Sequence, residues 1–464
     1  MGRRHHDRFE AVWHDVGVET HPARPHRVVI VGGGFAGLYA ARGLGNDPAV
    51  EVTLIDRRNY HLFQPLLYQV ATGALSPGDI AQPLRAILRR NANTRVLLGE
   101  AVALDPGARQ VTLNDGGTVD YDTLVVATGA RHAYFGHDDW AALAPGLKTI
   151  EDATDIRRRI LISYEAAERE ADPARRAEWM TFVVVGAGPT GVELAGALGE
   201  ISRDTLRRDF RSIHPADARV LLVEALDRVL PTYPEALSAS ARRQLERLGV
   251  TVRTGTRVTS IDEAGIDVAV PTEGGDPTRR IPTRTVLWAA GVQASSFGRK
   301  VAEALGVEVG QAGRVPVGPD LTVPNHPDVL ILGDLAIATR QGGKLVPGVA
   351  PAAIQEGTYA ARSIRARVHG ETPEPFRYRD RGDVAVIGRL SGVADIRWLG
   401  RFGQMSGFAA WGMWLGVHIV YLIGFANRIV VTIRWAWSFL THGRGTRLIT
   451  GEPHLPPIKR PESF

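Results

Sequence analysis

The apolar positions of the chain gather into short runs that stop at a glycine or an acid, and the first organised block begins at Arg27. Arg27–Val31 is a short apolar run, Phe35–Asn46 carries apolar positions at helical spacing, and Val50–Ile55 is a second run ending at Asp56. Short apolar runs bounded by turn formers predict buried strands, so the block reads β-α-β. The same order recurs at Thr181–Val185, Thr190 to about Phe210, and Arg219–Val223, which ends at Glu224. Thr123–Ala127, Thr285–Ala289 and Val329–Leu332 predict further strands, each delivering the chain to a glycine or a small polar residue. Two mononucleotide-type units in one chain predict an α/β fold with two Rossmann-like dinucleotide-binding domains.

The pattern divides the chain into a polar tail (1–26), a first dinucleotide domain in two parts (27–150 and 286–375) and a second domain between them (151–285). Pro271–Pro282 reads as a surface hairpin connection. A C-terminal region (376–445) opens with a β segment near Asp383–Trp398 and continues into apolar helices, and a loose Pro-rich tail follows (446–464).

Both β-α turns carry glycines at chemically telling positions. Gly32, Gly34 and Gly37 follow the first strand as G-x-G-x-x-G, and Gly186, Gly188 and Gly191 repeat the spacing after the second. Such turns bring a pyrophosphate onto the free amides of a helix N-terminus. Asp56 and Glu224 end the strands that follow, where a carboxylate bonds a ribose hydroxyl. At Glu224 it also repels the 2′-phosphate that separates NADP from NAD, although Arg228 stands close enough to blunt that preference.

Composition narrows the chemistry. With 464 residues, 44% of them apolar, the chain fills more than one core. It has no cysteine, which excludes a redox disulfide, a thiolate nucleophile and an iron–sulfur cluster. No metal-ligand spacing is present, and no nucleic-acid module accompanies the net charge of +5. The N-terminus has no apolar segment before Val28, so the body is expected in the cytoplasm.

The uncharged stretch from Phe402 to Asn427 is 26 residues long, enough to span a bilayer core that needs ~20. Five glycines and His418 interrupt it, which favours helices lying in one leaflet. Trp411, Trp414, Trp435 and Trp437 suit a headgroup boundary, and six arginines without an acid between Ile396 and Gly451 favour an anionic lipid bilayer surface. Gly412-x-x-x-Gly416 equally permits a close helix contact, as in a homodimer.

His61 to Gly73 reads HLFQPLLYQVATG and Gly186 to Gly199 reads GAGPTGVELAGALG. With Val126-Ala127-Thr128-Gly129 and Leu332-Gly333-Asp334, these runs resemble type II NADH:quinone oxidoreductases, the non-proton-pumping alternative NADH dehydrogenases, most closely actinobacterial ones. The likeness covers about Arg27 to Gly445. It implies a FAD/NAD(P)-linked reductase fold with a C-terminal membrane-associated helical region, monotopic on the cytoplasmic face. It further implies non-covalent FAD on Gly32, Gly34, Gly37, Asp56, Thr128, Gly129, Gly333 and Asp334. NADH, the substrate, would lie on Gly186, Gly188, Gly191, Glu224 and Gly291. Hydride would pass to FAD, and two electrons on to a membrane quinone of menaquinone or ubiquinone type.

Glu193 and Gln355 are the catalytic residues the resemblance points to, with Pro351 and Gln355 at the quinone site. The family's A-Q-x-x-x-Q signature is Ala350-Pro351-Ala352-Ala353-Ile354-Gln355 here, with proline in place of the first glutamine. A helix start tolerates proline, but a polar contact is lost. Glu193 has a second reading, since Thr190-x-x-Glu193 has the form of a capping box. Two other functions share the glycine turns: a soluble reductase feeding ferredoxin or rubredoxin, and a membrane NADH sensor with an impaired acceptor site.

Overall fold

The structure is a computed structural model that describes residues 24–270, 275, 277–441, 444–451 and 455. The first domain opens with β1 (His26–Val31), α1 (Phe35–Leu44), β2 (Val50–Asp56), α2 (Leu67–Ala71), β3 (Thr94–Leu98) and β4 (Thr123–Val126). Helix α3 (Ile150–Arg169) leads into the second domain, which comprises β5 (Thr181–Val185), α4 (Pro189–Glu200), β6 (Arg219–Val223), β7 (Val250–Arg253) and β8 (Thr285–Trp288). The chain then returns to the first domain with β9 (His326–Ile331) and α5 (Ala350–Val368). It ends in β10 (Asp383–Gly388), β11 (Ser391–Asp395), β12 (Gln404–Ser406), α6 (Phe408–Tyr421) and α7 (Phe425–Thr441).

The first sheet runs β3-β2-β1-β4-β9, all parallel, with Thr322–Val323 antiparallel at its edge; the second runs β7-β6-β5-β8, all parallel. Strands β4, β5 and β8 are buried at every position, as parallel strands covered by helices on both faces must be. The two connections between the domains pair as one antiparallel ribbon, Ala130–His132 against Val292–Ala294. Thr128 Oγ1 and Ser295 Oγ fasten its end at 2.6 Å.

Helices α1 and α5 pack backbone to backbone. A Cβ on Gly357 would stand 2.1 Å from the Ala36 carbonyl oxygen, so only glycine allows the contact. The C-terminal sheet lies directly on α4, where a Cβ on Gly196 would meet the Ile387 carbonyl oxygen at 1.7 Å. The tail is thus part of the body.

Several expectations are corrected. The helix expected from Thr190 to about Phe210 stops at Glu200 and continues as one π-turn, Ile201–Thr205. The boundary expected at 285 falls within the second sheet, because β8 pairs with β5 through Trp288. The uncharged stretch is broken into a 3-10 turn, β12, α6 and the start of α7, and its 14-residue helix α6 is only ~21 Å long. Among the described residues no helix is long and apolar enough to cross a membrane.

The tail expected to be loose from 446 is tied down at its start. Thr446 donates from its backbone amide to the Gly73 carbonyl, and its hydroxyl bonds the same oxygen at 2.7 Å. Residues 1–23, most of the last dozen residues and part of the 271–282 connection lie outside the described residues. Strands Gly265–Ala269 and Thr278–Pro282 flank that connection as an antiparallel pair.

Candidate functional site

The two glycine turns are built alike. Gly32 has φ +109° and Gly186 +98°, and a Cβ on Gly37 or Gly191 would lie 1.8 Å from the Gly32 or Gly186 carbonyl oxygen respectively. Each helix therefore sits hard on its turn. Gly34 and Gly188 are the N-caps; a Cβ on either meets nothing within 4 Å, and neither receives a side-chain cap. The first-turn amides are left for a ligand.

The acids sit where the turns need them. Asp56 Oδ2 accepts from the Gly33 amide at 2.6 Å, and Glu224 Oε2 accepts from the Ala187 amide at 2.6 Å. Burial pushes the Asp56 carboxyl up, against the two amide bonds that it accepts from Gly33 and Arg58. Arg228 turns away from the nucleotide turn and donates to the Pro231 carbonyl at 2.9 Å. Gly291 lies at the mouth of the second turn, with the exposed Phe135 ring so close that a Cβ on Gly291 would reach it at 2.4 Å.

At the first turn three further residues converge. Gly333 stands between Ala36 and Ala353, its Cβ position 3.8 and 3.7 Å from theirs, so the N-termini of α1 and α5 face one space. The Gly333 amide donates to the buried Glu356 carboxyl, which burial pushes up to about 8. Asp334 lies 3.8 Å from the Lys148 ammonium. Thr128 is held by Ser295, and Gly129, at φ +64°, leaves open space where a Cβ would be. These openings fit a flavin dinucleotide: a glycine cradle for phosphates and a carboxylate near its middle.

The run His61 to Gly73 serves this turn and more. His61, 2% exposed, bonds the Gly33 carbonyl through Nδ1 at 2.9 Å, while Asp56 holds the Gly33 amide, so the peptides on both sides of Gly33 are fixed. A carbonyl only accepts, so Nδ1 carries the hydrogen. Gln64 donates to the Lys148 carbonyl at 3.1 Å and so places that lysine.

A second space lies on the far side of α4. A cavity of about 140 Å³ is walled by Tyr68, Glu193, Val386, Trp411, Trp414 and Trp435 among others. Glu193 is buried there, and burial pushes its carboxyl from 4.5 up to about 8. Its partners are the Val386 amide at 3.4 Å, across the joint between α4 and β10, and the Trp414 indole. The capping box with Thr190 does not form. Gly188 is the N-cap, because the turn must stay open to its ligand, and Thr190 falls inside the helix.

Gln355 is committed on both sides of its amide: Nε2 donates to the Arg379 carbonyl at 3.0 Å and Oε1 accepts from the Arg379 amide at 2.9 Å. Pro351 is the second residue of α5, where its missing amide costs no helical bond.

The tail's charges and tryptophans are arranged differently from the expectation. Arg434 pairs with Asp79, Arg444 with Glu200, Arg447 with Asp209, and Arg397 with Asp380, Asp383 and Asp395. Their acids come from elsewhere in the chain. Trp411, Trp414 and Trp435 wall the cavity, leaving Trp437 as the exposed one, at 66%.

The pyridine nucleotide-disulphide oxidoreductase family model matches residues 26–357. Two type II NADH:quinone oxidoreductases of Mycobacterium tuberculosis are 45% and 47% identical, over 93% and 92% of this chain and 92% and 90% of theirs. The chain belongs to the type II NADH:quinone oxidoreductases. Within that family it lacks the cysteines that the broader family's name implies, so it keeps the nucleotide architecture without disulfide chemistry. NDH2 from Plasmodium falciparum has the same fold, with a TM-score of 0.81, 19% identity and coverage of 89% of this chain and 98% of that one.

Residues the sequence did not single out complete this type II enzyme's two spaces: His61 and Lys148 at the first turn, Tyr68 and Gln69 at the cavity, Phe135 beside Gly291. Four of them belong to, or are positioned by, the HLFQPLLYQVATG run, whose specificity was the available signal.

Proposed function

We propose that this protein oxidises NADH and reduces a membrane quinone, in the balance NADH + H⁺ + quinone → NAD⁺ + quinol. The observation that carries this is the identity to type II enzymes across more than nine-tenths of the chain, joined to two open glycine turns and a separate acid-bearing cavity. Bound FAD supplies the two-electron carrier between a hydride donor and the quinone.

The chain's own residues divide the work. The Gly186–Gly191 turn, with Glu224, holds the NADH pyrophosphate and ribose and excludes a 2′-phosphate. The Gly32–Gly37 turn, Asp56, Thr128, Gly129 and Gly333 hold the flavin dinucleotide, and Asp334 bonds its ribityl chain. Lys148 and the N-terminus of α5 hold positive charge beside it, which favours the reduced form. The quinone occupies the cavity beside Glu193, which is protonated below about pH 8 and so can release a proton toward the quinone oxygen. Pro351 and Gln355 bear on the same acceptor through α5.

The protein lies on one face of the bilayer, the cytoplasmic one, without spanning it. Phe408, Val420, Ile429, Val430, Ile433 and Leu440 are exposed on α6 and α7 together with Trp437, an apolar face that water does not favour. Gly412 and Gly416 are also open on α6, which suits a homodimer contact. Stopped-flow reduction by NADH followed by reoxidation with ubiquinone and menaquinone analogues tests the function. Flavin that NADH bleaches and no quinone restores would refute it.

A further inference from the structure

One hydrogen-bond chain joins the apolar face to the cavity, and its donors and acceptors can be assigned without ambiguity. Trp435, on α7, has an indole N–H that only donates, 2.7 Å from the Gln69 side chain. The Gln69 atom facing it is therefore the oxygen, and the amide nitrogen faces Tyr68 Oη at 2.9 Å. That nitrogen only donates as well, so the tyrosine oxygen accepts and its own hydrogen must point elsewhere.

Tyr68 is 6% exposed and walls the cavity that holds Glu193. Among the described residues nothing accepts its hydrogen. The indole N–H of Trp414, 2% exposed on the same cavity, is directed at the Glu193 carboxyl. A buried donor left unpaired is costly. The Tyr68 hydroxyl hydrogen on this cavity therefore asks for an acceptor oxygen inside it.

We propose that Tyr68 donates a hydrogen bond to a quinone carbonyl oxygen in this cavity, and that Trp435 on the membrane-facing helix sets the direction of that donor through Gln69. The inference rests on the cavity being the acceptor site. Tyr68 is the binding residue; Gln69 and Trp435 are positioning residues. The quinone carbonyl accepts and the phenol keeps its proton, because burial holds the Tyr68 hydroxyl well above its usual range. The arrangement ties acceptor binding to the seating of α7, whose Ile433 and Trp437 are exposed on either side of Trp435.

The test compares Tyr68→Phe, Gln69→Glu and the double variant, full-length in liposomes with a soluble menaquinone analogue. Gln69→Glu keeps the shape and the bond from Trp435 but turns the Tyr68 hydrogen onto its own carboxylate, so it should mimic Tyr68→Phe. Each single variant should raise quinone KM about 5- to 10-fold with a smaller change in kcat, and the double variant should do no more than either. With a carbon-13 carbonyl label, the bound quinone's infrared stretch should rise in both, since a lost donor strengthens the C=O bond. Bleaching by NADH serves as the folding control.

An unchanged carbonyl stretch and KM in Tyr68→Phe would overturn the proposal. The cavity reading fails separately: if Ala197→Trp and Leu415→Trp, which fill the cavity, each leave labelled quinone bound and reoxidation intact, the acceptor sits elsewhere.

Discussion

The Glu193 carboxyl of the NADH domain meets the Val386 amide of the C-terminal sheet at 3.4 Å, in the wall of the cavity proposed for quinone. A carboxyl whose folded value is about 8 binds its proton more tightly folded than unfolded. Its contribution to stability is complete below about pH 4.5 and is lost as pH rises through about 8. Glu193→Gln should remove that loss, so the fall in Tm between pH 6 and pH 9 becomes smaller than in the parent. Flavin reoxidation by quinone should decline above pH 8 in the parent and be slow and flat in the variant. Superimposable pH profiles would show that Glu193 does not titrate in this range.

Glu224 accepts from both Ala187 and Leu226 amides, and Arg228 donates to the Pro231 carbonyl, with no ion pair to Glu224 among the described residues, so the acid is free to repel a 2′-phosphate. Anaerobic bleaching should be faster with NADH than with NADPH by at least about tenfold, the factor that ~1.4 kcal/mol supplies. Glu224→Ala should narrow that ratio. Equal rates in the parent would mean that another cation reads the phosphate.

The parts of the molecule legible in the sequence are those governed by local rules. Both β-α-β blocks follow from apolar runs and glycine turns, since each strand, turn and acid lies within one stretch of chain. The Thr190–Glu193 box failed because the ligand turn, not the side chain, dictates where α4 begins. The arginines of the tail lacked acids only along the sequence: Glu200 lies 244 residues from Arg444, and no local count reveals such pairs. The tryptophans likewise needed the tertiary fold, which turns three of them inward. The HLFQPLLYQVATG run could be seen to be specific, but that His61 holds Gly33 and Gln64 holds Lys148 depends on a strand pairing, Tyr60–Leu62 with Ala81–Pro83, that brings the run across the first turn.

Gln355 clamps the backbone of Arg379 at both polar ends, which ties α5 to the segment leading into the C-terminal sheet. Gln355→Ala should cost about 0.5–1.5 kcal/mol of stability, because both bonds are exposed and water replaces the lost partner. It should also slow flavin reoxidation while bleaching by NADH persists. Pro351→Gln, which restores the family residue, should change the preference between menaquinone and ubiquinone analogues. If both substitutions alter only the thermal midpoint, α5 acts purely as a support.

Ile433 is 62% exposed, Trp437 66% and Leu440 74%, one face of α7 left uncovered by the described residues. Placing two such side chains in the acyl boundary yields ~3–6 kcal/mol at 1.5–3 kcal/mol each. The arginine charge contributes less, because Arg397, Arg434, Arg444 and Arg447 already meet carboxylates of the body. Binding to liposomes should therefore survive high salt and depend only weakly on the fraction of anionic lipid, since the screened part is small. Ile433→Asp with Trp437→Asp should release the protein into the soluble fraction, with bleaching by NADH intact and activity on long-tailed quinones lost far more than on short ones. Release of the parent by salt alone, or vesicle binding unchanged in the double variant, would assign the membrane contact to another surface.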